Sequence, residues 1–270
     1  EQKQILEFRK KGKIITAIFE LDGYSFQALD GGPLFTLNPS ISFMLNFDPS
    51  VDPNARENLE TLWTQLSEGG KVMMPLGEYP FSSLYGWVED RFGVSWQLIL
   101  TNPDGEPRPH FIPSLLFVGD VCGKAQEALT FYTEVFPDSR IGTISLWPGG
   151  MSPEVEGNVM FGEAALSGQW ITAMDSAQDH QFAFNEALSF SVECADQAEV
   201  DHYWDLLSAV PESEQCGWLK DKFGVSWQIV PKQLGEFMGG SDPERSARVM
   251  TAFMSMKKFD IAALQAAYDG

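Results

Sequence analysis

Apolar and polar positions alternate on both sides of Asp22-Gly23 across residues 14–30, and again around Ser167-Gly168 across residues 159–175. Each stretch predicts two half-buried strands joined by a tight turn that needs positive φ. Further strands are predicted at 41–44 and 188–191, each followed by a helix. Leu59, Leu62, Trp63 and Leu66 recur at helical spacing in the first helix; Val200, Tyr203, Trp204 and Leu207 do so in the second, over 197–207. A closing hairpin follows each helix, 86–89 with 94–99 and 217–220 with 225–230, around glycines Gly93 and Gly224.

These elements are one set read twice. The stretch Gly86-Trp87-Val88-Glu89-Asp90-Arg91-Phe92-Gly93-Val94-Ser95-Trp96-Gln97 returns as Gly217-Trp218-Leu219-Lys220-Asp221-Lys222-Phe223-Gly224-Val225-Ser226-Trp227-Gln228. Such a match marks a tandem duplication. The Pro-rich polar stretch 101–109 is the natural boundary. It gives a first domain at 1–105, a second at 110–234 and a helical tail at 235–270. In that tail Asp242-Pro243 and Asp260 look like helix starts, with Val249, Met250, Phe253 and Met254 as an apolar stripe.

The second copy has an additional opening: a strand at 111–118, a helix at 124–136 and a strand at 140–147. The residues before Ile14 look too few and too polar for an equivalent. The first copy is therefore expected to lack its initial strand-helix-strand, as a truncated start would leave it. Hairpins outnumber crossovers, so the fold class is α+β, built of paired β-α-β-β-β units that form half-open barrels with helices outside.

Charge and cysteine content narrow the partners. A formal net charge of -20 disfavours nucleic acid and anionic membrane surfaces, and leaves cationic ligands as a weak preference. Cys122, Cys194 and Cys216 are odd in number and lack CxxC spacing, which fits a reducing cytoplasm. No apolar run has the length of a membrane span.

The residues 117–128, 131–132, 135–139, 216–228 and 256–264 are similar to those of the PhnB-like proteins of the vicinal oxygen chelate superfamily. That superfamily includes glyoxalases, extradiol dioxygenases and bleomycin-resistance proteins, and PhnB-like members often carry the label 3-demethylubiquinone-9 3-methyltransferase domain. The resemblance implies a tandem glyoxalase-like fold and is compatible with a homodimer. It also implies where metal-dependent members hold their ion, with Glu on the final strand as the typical last ligand. Those positions fall at Gln228 and Gln97, and near Pro113, Thr172 (Gln27 in the first copy) and Ala187 or Ser189. None is His, Asp or Glu, and a neutral amide brings no charge to offset dehydration of a divalent ion.

No other chemistry announces itself. His110, His180 and His202 form no ligand spacing, and there is no P-loop, Rossmann fingerprint or nucleophile elbow. Asp175 and Asp30 end strands and are possible rim bases; Lys220 and Asp221 read as a solvated turn. The pocket is expected to be apolar, with Ser226, Gln228, Ser189, Trp170, Thr172 and Met174 lining it in the second domain and Gln97 and Gln27 in the first. The expectation is a metal-free, cofactor-free small-molecule-binding protein with an aromatic or cationic ligand. The alternative is an enzyme: a metal-dependent lyase or dioxygenase, or the methyltransferase of the family label.

Overall fold

The computed structural model describes residues 5–10, 13–102, 106–238 and 242–270. The first predicted hairpin is β2 (Lys13–Leu21) and β3 (Tyr24–Leu29), with Asp22 at φ 49° and Gly23 at φ 82° in the turn. An earlier strand, β1 (Ile5–Lys10), pairs antiparallel with β2. The sequence reading expected no such strand. Its Ile-Leu-Glu-Phe-Arg-Lys run is too mixed to declare itself locally, and its pairing with β2 supplies what the pattern lacks.

The rest of the first copy is a complete β-α-β-β-β unit. It runs through β4 (Ile41–Phe47), α1 (Ala55–Ser67), β5 (Lys71–Tyr79), β6 (Ser82–Glu89) and β7 (Ser95–Leu100). The second copy opens with another: β8 (Phe111–Phe117), α2 (Ala125–Val135), β9 (Arg140–Leu146), β10 (Val159–Leu166) and β11 (Gln169–Asp175). The two units share one eight-stranded sheet in the order β5-β6-β7-β4-β8-β11-β10-β9. Its seam is the antiparallel pair β4–β8, with Ser42 opposite Ser114 and Met44 opposite Ile112. This seam crosses the boundary read from the sequence. An apolar strand edge needs a partner, and the edge of β4 finds it in the next copy.

The compact units consequently follow different lines from the repeats: Glu1–Thr133 with Asp138–Ala183, and Glu134–Pro137 with Phe184–Gly270. In the first unit, Leu59, Val88, Leu98, Leu129 and Tyr132 are fully buried, and Phe26 of β3 packs edge-on against Phe43 and Phe111.

The second unit holds β12 (Phe190–Cys194), α3 (Gln197–Leu207), β13 (Trp218–Lys220), β14 (Ser226–Pro231) and three helices: α4 (Gln233–Met238), α5 (Pro243–Met254) and α6 (Ile261–Asp269). Here β12 runs parallel to β14, and β13 antiparallel. Where the first copy has the long strand β5, the second has a 3-10 turn at Pro211–Ser213 and a single bridge from Gln215 to Trp218. Two strands therefore follow α3 among the described residues, not the three expected. Asp196, Asp242 and Asp260 cap α3, α5 and α6 through their side chains. The tail packs on itself through Phe237, Val249, Phe259 and Leu264, while Met250 and Met254 of the expected stripe stay exposed.

Candidate functional site

Six polar side chains cross the centre of one face of the eight-stranded sheet, one from each consecutive strand between β6 and β10. They are Tyr85, Gln97, Ser42, Ser114, Thr172 and Glu163, and none is more than 5% exposed. Registration puts them on one face. Gln97 lies beside Met44, Ser42 opposite Ser114, Thr172 beside Ser114, and Glu163 opposite Thr172. Met44, Ile112, Ala165 and Trp170, with Ile99 and Phe161 against them, form the apolar surround.

Gln97 is the hub of one half of the row. The Tyr85 hydroxyl donates to Gln97 Oε1 at 2.7 Å, and Gln97 Nε2 donates to Ser42 Oγ at 2.8 Å and to Ser114 Oγ at 3.3 Å. Both amide hydrogens are thereby used. Burial, with a smaller contribution from Tyr79, holds the Tyr85 phenol far above its ordinary 10.0, so it remains a donor. Thr172 sits next along the row, fully buried, and its Oγ1 has no hydrogen-bond partner among the described residues.

The other end is ionic, and no local sequence signal points to it. Glu163 accepts from Arg108 Nη2 at 2.6 Å, from Arg108 Nε at 3.1 Å and from the Thr143 backbone N–H at 3.1 Å. The Arg108 guanidinium lies 3.8 Å from the centre of the Trp170 ring, and that of Arg140 lies 4.8 Å from it. Glu106 pairs with both arginines. Burial alone would raise the Glu163 carboxyl; the bonds from Arg108 and Thr143 and the charge of Arg108 outweigh it, leaving it below 4.5. Arg108 is raised in turn, chiefly by its bond to Glu163.

The structure sorts the expected site residues into three places. Gln97 and Thr172 belong to the row described above and Trp170 to its apolar surround, with Met174 on the same face of β11 and half-buried. Gln228, Ser226 and Ser189 belong to the second unit, where Gln228 Nε2 donates to Ser189 Oγ at 2.8 Å and Ser226 Oγ reaches the Asn185 carbonyl at 3.5 Å. Gln27 lies on β3, exposed, away from the Gln97 row. On β8 the row position is Ser114, not Pro113, whose register partner Phe43 belongs to the opposite face.

Asp175 is not a rim base: it is 2% exposed and accepts the N–H groups of Gly123, Ala125 and Val159, which fixes the entry to α2. Asp221 is not solvated: its carboxylate is buried and accepts from the N–H of Phe223 and Val225 and from Trp227 Nε1. Lys220 pairs with Glu186 at 2.7 Å. His110, His180 and His202 contact the Asn46 carbonyl, the Ser176 hydroxyl and the Val135 carbonyl. Among the described residues, no three His, Cys, Asp or Glu side chains are grouped to hold a metal ion, and no helix is long and apolar enough to cross a membrane.

The family described as 3-demethylubiquinone-9 3-methyltransferase matches residues 2–99 and 109–230. The chain belongs to this family. It is a PhnB-like member of the vicinal oxygen chelate superfamily, and its two matched stretches are the two copies of the internal repeat. Among solved structures, a PhnB protein from Bacillus cereus is 36% identical, over 44% of this chain and 95% of that one, with a TM-score of 0.37. Protein PA1353 from Pseudomonas aeruginosa is 30% identical, over 34% of this chain and 65% of that one, with a TM-score of 0.29. Glyoxalase I from Zea mays is 12% identical, over 80% of this chain and 78% of that one, with a TM-score of 0.48. No curated protein matches the chain.

Proposed function

We propose that this PhnB-like protein binds a small molecule without a metal ion, on the face of the sheet that carries Thr172 and Trp170. The observation behind this reading is the chemistry of the row. Gln97, Ser42, Ser114 and Thr172 are neutral, and the first three satisfy one another. A divalent ion takes carboxylate or imidazole ligands that offset its dehydration, and amides and hydroxyls do not. Glu163, the one carboxylate in the row, is engaged by Arg108. The residues present do not fit the metal centre of the superfamily.

The family description supports a second reading, methyl transfer from an adenosine-bearing donor. The turn that enters α2 contains Gly119 and Gly123, but the Gly123 and Ala125 N–H groups are taken by Asp175. They do not form the open cradle of a dinucleotide loop.

Elemental analysis and calorimetry of the purified protein separate these possibilities. The expected result is substoichiometric nickel, manganese, iron and zinc, no saturable uptake of S-adenosylmethionine, and thermal stabilisation by at least one small organic compound. One equivalent of divalent metal whose binding falls on Glu163→Gln would overturn the reading. Saturable binding of S-adenosylmethionine would replace it with the second.

A further inference from the structure

We infer that Glu163 and Trp170 form a recognition site for a guanidinium or alkylammonium ligand, and that the side chain of Arg108 occupies that site in cis. The inference rests on the small-molecule reading and names the ligand class.

A buried carboxylate beside an aromatic face is the pairing that recognises organic cations: the carboxylate gives charge and direction, the ring gives a quadrupole and excludes water. Here both partners are fixed before any cation arrives. Glu163 is held from behind by the Thr143 N–H. Gly142 has no side chain because a Cβ there would lie 2.8 Å from Glu163 Cγ and 2.9 Å from Trp170 Cζ3, so the backbone of β9 closes directly onto the pair. The carboxylate side chain is 7% exposed while that of Arg108 is 21% exposed. The arginine thus enters from the rim, outside any strand or helix, and its fork satisfies both carboxylate oxygens.

An ion pair that merely fastens residues 106–109 to the sheet would explain that much. It does not explain Thr172. Its hydroxyl stands opposite Glu163 in register, fully buried and without a hydrogen-bond partner among the described residues. Such a group costs stability where it serves no purpose. A ligand that carries its own hydrogen-bonding group beside the cationic head would meet both Glu163 and Thr172; the arginine of the chain leaves the hydroxyl unused. Glu106 lies 3.3 Å from Arg108 Nη1 and offers the arginine a second carboxylate when a ligand displaces it. The acidic net charge of the chain favours cations at long range.

A tethered occupant competes as an effective concentration, of order millimolar for short tethers. The free ligand must overcome it, so removing the arginine must strengthen binding. In the whole protein, Arg108→Ala is expected to lower the melting temperature, and methylguanidinium is expected to restore it at concentrations where sodium chloride of equal ionic strength does not. Calorimetry should show methylguanidinium binding to Arg108→Ala at least about tenfold tighter than to the wild type. The gain should vanish in Arg108→Ala/Glu163→Gln. Arg108→Lys, which keeps the charge but loses the two-point fork and the flat stack, serves if the alanine variant fails to fold, and predicts an intermediate gain. Equal affinities in wild type and variant, or a gain that survives Glu163→Gln, would overturn the inference. Binding of phenol without any binding of methylguanidinium would overturn it while leaving the small-molecule reading intact.

Discussion

Asp221 offers the sharpest energetic test, because the duplication supplies its control. Its carboxylate accepts from Phe223 N at 2.8 Å, Val225 N at 3.0 Å and Trp227 Nε1 at 2.8 Å, and the residue is 1% exposed. Asp90 makes the same three bonds, to Phe92 N, Val94 N and Trp96 Nε1, at 2.8, 3.0 and 2.9 Å, in a half-exposed setting. Hydrogen bonds to a charged group contribute about 1.5–3 kcal/mol each, and buried donors left unpaired cost more than exposed ones. The three bonds are not independent, and water partly replaces them. Asp221→Ala is therefore expected to cost about 3–4 kcal/mol and Asp90→Ala about 1.5–2 kcal/mol. A cycle with Trp227→Phe should assign about 1.5 kcal/mol of coupling to the indole bond. The chain has two units, so one global transition is unsafe. Hydrogen exchange read on peptides covering 86–100 and 217–231 along a urea series gives each copy its own value. If Asp221→Ala costs no more than Asp90→Ala, burial does not set the strength of this motif and the reasoning fails.

Four further outcomes follow. Thr172→Val replaces an unpartnered buried hydroxyl with an isosteric methyl and should stabilise the protein by about 1 kcal/mol in thermal unfolding; destabilisation would mean that the hydroxyl has a partner. Gly224 has φ +88°, and a Cβ added there would meet nothing closer than Phe184 Cβ at 4.0 Å, so Gly224→Val should cost about 1–2 kcal/mol through backbone strain alone, and unchanged unfolding would refute the turn. Burial, aided by Glu199, Asp196 and Glu193, pushes the Cys194 thiol up to about 12, so a thiol reagent at pH 8 should modify Cys122 and Cys216 well before it. The folded-state Glu163 carboxyl lies below 4.5, so its pairing supports the fold above that pH and the support is lost as pH falls through the lower, folded value; Glu163→Gln should flatten this acid limb of an unfolding profile.

What the sequence made legible was local. The hairpin turns, the limits of α3 and the aspartate caps of α5 and α6 all follow from spacings of a few residues, where periodicity and turn chemistry act. What it concealed was long-range. The β4–β8 seam joins strands whose own patterns specify burial but not a neighbour. Arg108 and Glu163 are 55 residues apart, and nothing in the local pattern around either one names the other. Asp221 misled for a related reason: a charge on a turn is solvated by default, and the same set of bonds holds a half-exposed carboxylate at Asp90 and a buried one at Asp221. Helix α4, six residues long, is too short to show a period.

The two glutamines show how far the surroundings decide what a motif does. Gln97 with Ser42 and Gln228 with Ser189 are the same pair in the two copies, each bonded Nε2 to Oγ at 2.8 Å. Their aromatic supports match as well, with ring centres 5.4 Å apart for Phe43 and Trp96 and 5.2 Å for Phe190 and Trp227. In the first unit β4 has β8 along its outer side, and Ser114 on β8 takes the second amide hydrogen, so Gln97 becomes a sealed polar core. In the second unit β12 is the edge of its own sheet, and Gln228 stays half-exposed. One sequence motif thus yields a structural glutamine in one copy and an accessible one in the other. The difference lies in the strand alongside, not in the residues that repeat. A ligand role for Gln228 therefore gains nothing from the behaviour of Gln97 and has to be tested on its own, by whether Gln228→Ala alters binding of a ligand that Gln97→Ala, in a folded variant, leaves bound.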